Sequence, residues 1–150
     1  MQISESIEIS KPKGDVWLVI SDIKKSAEWI SNIISVEILD TPQEGLVGLK
    51  WKETRKFCGK EATEVMWVTD SVPNDYYTTR AESHGAVYIS RLSLTESNGI
   101  TTLTMSFAGE PQTLMAKLLS TIMSRFIVKS MVNEMRKDLS DIKSHVETAS

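Results

Sequence analysis

The sequence has little of what several common classes of protein require. It contains one cysteine and two histidines in 150 residues. An internal disulfide is therefore impossible and there is no CxxC motif. Two histidines alone do not make a zinc site. Lys and Arg number 17 against 20 Asp and Glu, a net charge of −3. Nucleic-acid binding needs a basic surface to contact phosphates. We therefore expect no metal, no cofactor and no nucleic-acid partner.

Long apolar runs are also absent. No run approaches the roughly 18 residues of a transmembrane helix, and the first five residues lack the basic and then apolar pattern of a secretory leader. We therefore expect a cytoplasmic protein without stable membrane insertion. There is no internal repeat and no linker rich in Pro, Gly or Ser. The length fits a single domain over residues 1–150. We expect this domain to be a monomer or a weak homodimer.

The sequence does have a long helical pattern near its end, over residues 112–146. At 1.5 Å per residue this segment would be about 50 Å long, so it should cross the whole protein or bend. In its second half, apolar residues recur at steps of three and four, which keeps them on one face. They are Val128, Met131, Val132, Met135, Leu139, Ile142 and Val146. The opposite face, which includes Lys137, is polar.

The rest of the chain is dominated by strand patterns. Residues 2–10 alternate as a half-buried strand does, and two short helices follow, the first after Pro12 and the second after Ser21-Asp22. Period-two segments joined by tight turns then run from Ile34 to Ala108, and Asn98-Gly99 is the most specific turn signal. The order predicts an α+β fold in which a curved antiparallel sheet of about seven strands grips the long helix. A flat sheet with its helices on one side, or an open α+β sandwich, is the alternative.

Several short motifs, spread over the chain, together carry a resemblance to known proteins. They are Ile7-Glu8-Ile9-Ser10-Lys11-Pro12, Val16-Trp17, Ile20-Ser21-Asp22 with Trp29, Gly45-Leu46-Val47-Gly48, Thr101-Thr102-Leu103-Thr104-Met105, and the helix end Met135-Asp138-Leu139-Ile142-Lys143. They resemble the helix-grip or START-like (SRPBCC) superfamily, which includes relatives of the birch pollen allergen, lipid-transfer START domains and polyketide cyclase/dehydrase-like proteins. The resemblance covers nearly the whole chain and implies the same helix-grip fold. The glycine-rich loop of the pollen-allergen relatives is reduced here to Gly45 and Gly48.

A curved sheet and a helix that do not close fully leave a cavity between them, and such a cleft suits an apolar ligand. Parity along the strands predicts which side chains point into it. The candidates are Trp51, Glu53, Arg55, Tyr77, Thr79, Tyr88, Met105 and Phe107 on strands, and Met115, Leu118, Ile122, Met123 and Phe126 on the helix. The alternative is that the apolar members of this set are ordinary core.

Glu53 and Arg55 are the least ordinary candidates, because charged residues are seldom buried without partners. Arg55 could receive a ligand carboxylate or phosphate in its planar fork. The alternative is that Glu53 and Arg55 form an ion pair at the exposed rim. Tyr77 and Tyr88 could orient a ligand hydroxyl or carbonyl, or could lie at a sheet edge with their hydroxyls in water.

Catalytic motifs are scarce. Neither His84, in a predicted turn, nor His145, near the end of the chain, has an evident acid partner, Cys58 has no base, and no nucleophile or phosphate-binding motif is present. The leading hypothesis is a non-catalytic protein that binds or transports a small hydrophobic or amphipathic molecule, lipid-like or polyketide-like. One alternative is a polyketide cyclase/aromatase-like or hydrolase-like enzyme using the same cavity. Another is a module that engages a protein partner.

Overall fold

A computed structural model of the chain describes residues 2–83 and 85–149, with the side chains of residue 111 and residues 115–124 outside the description. The elements follow one another in the predicted order of strand, short helices, strands and long helix. They are β1 (Gln2–Ile9), α1 (Lys13–Ile20), a 3-10 helix (Ile23–Glu28), β2 (Ile33–Asp40), β3 (Lys50–Phe57), β4 (Lys60–Val72), β5 (Tyr76–Ser83), β6 (Ala86–Ser97), β7 (Ile100–Pro111) and α2 (Leu114–Thr148).

The strands form one curved antiparallel sheet in the order β1-β7-β6-β5-β4-β3-β2. The predicted α+β helix-grip fold is confirmed. Strands β2 to β7 lie side by side in chain order, and tight turns join several of them. Cys58 and Gly59 (φ 53° and 76°), and likewise Asn98 and Gly99 (φ 53° and 78°), all have positive φ. This is the backbone of a type I′ hairpin turn, whose twist matches that of the strands it joins.

The second half of α2 packs its apolar stripe onto the sheet. Met135, Leu139, Ile142 and Val146 are exposed by 6% or less, whereas Val128, Met131 and Val132 are half-buried. Full burial of such side chains contributes about 1.5 to 3 kcal/mol each. The predicted helical phase is therefore confirmed over residues 135–146.

Two strand details differ from the sequence-based expectation. The period-two pattern that begins at Ile34 places this residue on one face with Val36 and Ile38, yet it is 43% exposed and Ile33 is buried instead. A register shift between Ile33 and Ser35 changes the parity at the start of β2. Val47 lies an even number of residues before Trp51, so the same alternation predicts that it shares the inward face, yet it is 50% exposed because it lies before β3 begins.

Helix α2 connects the two edges of the sheet. Arg136 is 3.3 Å from Glu5 of β1. On the other side, the backbone N–H and hydroxyl of Ser31, just before β2, donate hydrogen bonds to Asp141 at 2.9 and 2.8 Å. Polar contacts along both flanks therefore hold the helix over the concave face. Within the described ranges, no helix is both long and apolar enough to span a bilayer.

Candidate functional site

The strand register assigns the predicted inward residues to a common face. Trp51 is opposite Met66, Met66 is opposite Ala81, and Ala81 is opposite Tyr88. Residues directly opposite one another in a sheet point to the same side. The strand candidates on this concave face are Trp51, Glu53, Arg55, Tyr77, Thr79, Tyr88, Met105 and Phe107.

One part of the concave face is tightly packed. Trp51 is 3% exposed and Tyr77 is 7% exposed, and both belong to the same core as Leu139 and Ile142 of α2. The Tyr77 hydroxyl donates a hydrogen bond of 3.1 Å to the carbonyl of Ile20, and burial, with a smaller contribution from the charge of Glu53, raises the pKa of Tyr77 well above its usual range. Trp51 and Tyr77 therefore act as core residues.

Another part of the concave face is half-buried, and we call it the open part. Its members lie on β4, β6 and β7, and they are Glu64, Met66, Tyr88, Ser90, Met105 and Phe107. The rings of Tyr88 and Phe107 stack with centroids 5.6 Å apart. Ser90 shares a hydrogen bond between hydroxyls with Thr79 of β5, which is buried. The open part thus combines apolar walls with hydroxyl groups.

Arg55 forms an ion pair with α2, a partner that sequence reasoning missed. Its Nη2 donates hydrogen bonds of 3.0 and 2.8 Å to the two carboxylate oxygens of Asp138. The side chains are 26% and 7% exposed. A signal was available, because position 138 lies three residues after Met135 and four before Ile142 and so falls within the apolar stripe.

Glu53 lies beside this pair and is 9% exposed. Burial raises the pKa of Glu53, although the positive charge of Arg55 opposes the shift. Burial acts to lower the pKa of Arg55, but the negative charges of Asp138 and Glu53 raise it overall. Glu53 and Arg55 are thus not an isolated pair at an exposed rim. Arg55 was expected to receive a ligand anion, but its Nη2 already binds the Asp138 carboxylate.

One of the five helix candidates, Phe126, has a described side chain. The predicted positions Met115, Leu118, Ile122 and Met123 have side chains outside the described residues. Phe126 was expected to close the cavity, but it is 66% exposed. At about 100° per residue, it lies roughly 160° around the helix from the stripe that begins at Val128.

Of the residues weighed for catalysis, His145 and Cys58 lie elsewhere, and His84 is outside the described residues. His145 stacks on Trp29 with ring centroids 4.8 Å apart, beside a surface hollow of about 360 Å³ that also includes Asp22 and Glu28. Cys58 is exposed in the β3–β4 turn. In the part of the chain that the structure describes, no three His, Cys, Asp or Glu side chains converge as a metal site requires.

The fold and its concave face are those of a START-like, helix-grip protein. A family model described as polyketide cyclase / dehydrase and lipid transport matches residues 1–147, and the chain belongs to this family. The predicted SRPBCC membership is therefore confirmed. No curated protein matches the chain.

Several solved structures share the fold. TTHA0849 from Thermus thermophilus is 12% identical with a TM-score of 0.82, over 100% of this chain and 99% of that one. The Zhui aromatase/cyclase from Streptomyces sp. R1128 is 16% identical with a TM-score of 0.78, over 98% and 93%. The di-domain ARO/CYC BexL, from the BE-7585A biosynthetic pathway, is 17% identical with a TM-score of 0.82, over 100% of this chain but 51% of that one. These likenesses establish the fold alone.

Proposed function

We propose that this chain is a single domain that binds or carries a small hydrophobic or amphipathic molecule on the open part of the concave face. The observation that carries the proposal is a gradient of burial along two neighbouring strands. On β6, Leu94 is 4% exposed, whereas Ser90 and Tyr88 are half-buried. On β7, Leu103 is 0% exposed, whereas Phe107 is half-buried.

The buried residues of the two strands lie side by side, and so do the half-buried ones, because β6 and β7 are antiparallel. Leu94 is opposite Leu103, and Ser90 is opposite Phe107. The half-buried residues therefore form one continuous surface and not scattered gaps. Apolar surface that a ligand removes from water contributes about 25 cal/mol per Å². Aromatic walls with a few polar groups are the usual lining of a small-molecule site.

A neutral apolar fluorophore, N-phenyl-1-naphthylamine, tests the proposal. We expect it to gain emission when titrated with the protein. Ser90→Trp should weaken its binding at least tenfold, because the indole fills the open part. Ser93→Trp is the matched control, since Ser93 is opposite Thr104 on the other face of β6. Wild-type protein that does not bind the fluorophore would refute the proposal, as would equal effects of the two tryptophans.

The natural ligand requires a separate measurement. Mass spectrometry of small molecules extracted from the protein, as purified from its own source, should find a compound that is reduced in Ser90→Trp but retained in Ser93→Trp. A compound retained equally in both variants would bind outside the open part.

A second candidate function is a cyclase-like enzyme that uses the same surface. The position of two residues on the open part favours this function: Glu64 offers a proton acceptor and Tyr88 a proton donor. Two of the similar structures are described as aromatase/cyclases. Turnover of a bound polyketide-like substrate that Tyr88→Phe abolishes without loss of binding would establish this function. Binding without turnover supports the carrier.

A further inference from the structure

The charges on the concave face are unevenly distributed. Among the described residues that β1–β7 direct to this face, two are basic. Arg55 has its Nη2 engaged by Asp138 at 2.8 Å. Its Nε is buried and has no hydrogen-bond partner among the described residues. Lys60 is exposed at the start of β4, opposite Phe57. Glu53 and Glu64 lie directly opposite each other on β3 and β4. The concave face of these strands therefore offers an incoming ligand more negative charge than positive.

Glu64 differs from Glu53 in being half-buried and within the open part. None of the ion pairs among the described residues involves Glu64, and Arg55 on the neighbouring strand binds Asp138 instead. A ligand carboxylate placed here would meet an uncompensated negative charge, which is unfavourable on a partly desolvated surface. A hydroxyl group would instead donate a hydrogen bond to the Glu64 carboxylate, and bonds to an ionised acceptor are the stronger kind.

Tyr88 complements Glu64 on the same surface. Its ring is held by the stack on Phe107, and its hydroxyl has no hydrogen-bond partner among the described residues. Burial raises the pKa of Tyr88, and the charge of Glu64 adds to the shift, so the phenol keeps its proton at neutral pH. The phenol can therefore donate to a ligand oxygen while Glu64 accepts from a ligand hydroxyl.

We propose that the open part selects an apolar molecule carrying an alcohol or phenol hydroxyl, with Glu64 accepting from that hydroxyl and Tyr88 donating to a ligand oxygen, and that it disfavours carboxylates. The inference rests on the proposed binding function and specifies its ligand class. It differs from a site in which Arg55 receives an anionic head, because in this structure the charge of Arg55 is paired with Asp138 through Nη2.

Two probes with the same apolar body test the selectivity. Decan-1-ol and decanoate are compared at pH 7.5 by displacement of N-phenyl-1-naphthylamine. We expect the alcohol to bind at least tenfold more tightly than the acid. Glu64→Gln should reduce this ratio at least fivefold, chiefly by improving the binding of decanoate. Glu61→Gln is the matched control, because Glu61 is exposed and lies opposite Lys56 on the outer face of the same strand pair.

Tyr88→Phe provides an independent variant, since it removes one oxygen and keeps the ring stack. It should weaken the binding of decan-1-ol at least threefold and leave the binding of decanoate unchanged. Equal binding of the two probes to the wild type, or a ratio that Glu64→Gln leaves intact, would overturn the inference and leave the binding function standing. Failure of the fluorophore and the alcohol to bind would instead refute the binding function itself.

Discussion

Asp138 of α2 accepts two hydrogen bonds, of 3.0 and 2.8 Å, from one nitrogen of Arg55 on β3 across a sequence separation of 83 residues. Asp138 is 5% exposed and lies between Met135 and Ile142 in the buried stripe. The pair therefore fixes the position of the helix relative to a strand near one edge of the sheet. A buried charge of this kind is retained only while its partner remains.

Removing the charge of Asp138 should destabilise the fold. We expect Asp138→Asn to lower the free energy of unfolding by about 1 to 3 kcal/mol, a value below that of a fully buried pair because the Arg55 side chain is 26% exposed. A double-mutant cycle with Arg55→Met, measured by urea unfolding, should give a coupling of about 1 kcal/mol or more. The exposed pair Arg80–Glu82, with a comparable distance of 2.7 Å, is the control, and Glu82→Gln should cost less than about 0.5 kcal/mol. Equal costs would mean that the buried pair has no special role.

The two faces of α2 should respond very differently to truncation of a side chain. Leu139 is 1% exposed, so Leu139→Ala should cost about 2 to 5 kcal/mol through lost burial and the cavity left behind. The Lys137 side chain is 50% exposed, and Lys137→Ala should change stability by roughly half a kcal/mol or less. Denaturant titrations measure both, and similar costs would contradict the helical phase.

The titration of Glu53 should make stability depend on pH. Burial raises the pKa of Glu53 above its ordinary value of 4.5, against the opposing charge of Arg55. The folded state therefore holds this proton more tightly than the unfolded state does. The resulting stability is present below about pH 4.5 and is lost as the pH rises through the folded-state pKa.

Glu53→Gln removes this titration and leaves Arg55, Asp138, Trp51 and Tyr77 around it. Urea unfolding at intervals from pH 4 to pH 8 should show the wild type losing stability relative to Glu53→Gln as the pH rises above about 4.5. A difference that is constant over this range would show that the pKa of Glu53 is not raised in the folded protein.

Two glycines should give opposite responses to the same substitution. Gly99 has φ 78°, and a Cβ there would meet nothing within 4 Å, so Gly99→Ala should cost about 1 to 2 kcal/mol from backbone strain alone. Gly14 lies within α1 and would place its Cβ 4.0 Å from Asn74, an ordinary contact. Gly14→Ala should therefore stabilise the protein by about 0.5 to 1 kcal/mol. Thermal unfolding of the two variants gives the sign directly, and a shift in the same direction would contradict the turn geometry.

Local periodicity was enough to predict the elements of this protein. Strand parity depends only on the alternation of neighbouring side chains, so Trp51, Glu53 and Arg55 could be assigned to one face before their partners were known. The helical phase of Leu139 follows in the same way from steps of three and four. The Asn98-Gly99 turn needs only the left-handed conformations that these two residues adopt easily.

The partners of these side chains were decided by the tertiary structure. No rule of spacing connects Arg55 with Asp138, because their contact depends on where α2 crosses the sheet. The shift at Ile33 and Ser35 reversed the expected parity at the start of β2, since a change of register alters which residue points inward. The sequence alone determined which side chains share a face within an unbroken strand or in the second half of α2, because that depends on the local backbone. Tertiary packing decided which side chains became core and which charges were neutralised, because burial and ion pairing depend on residues that are distant in the chain.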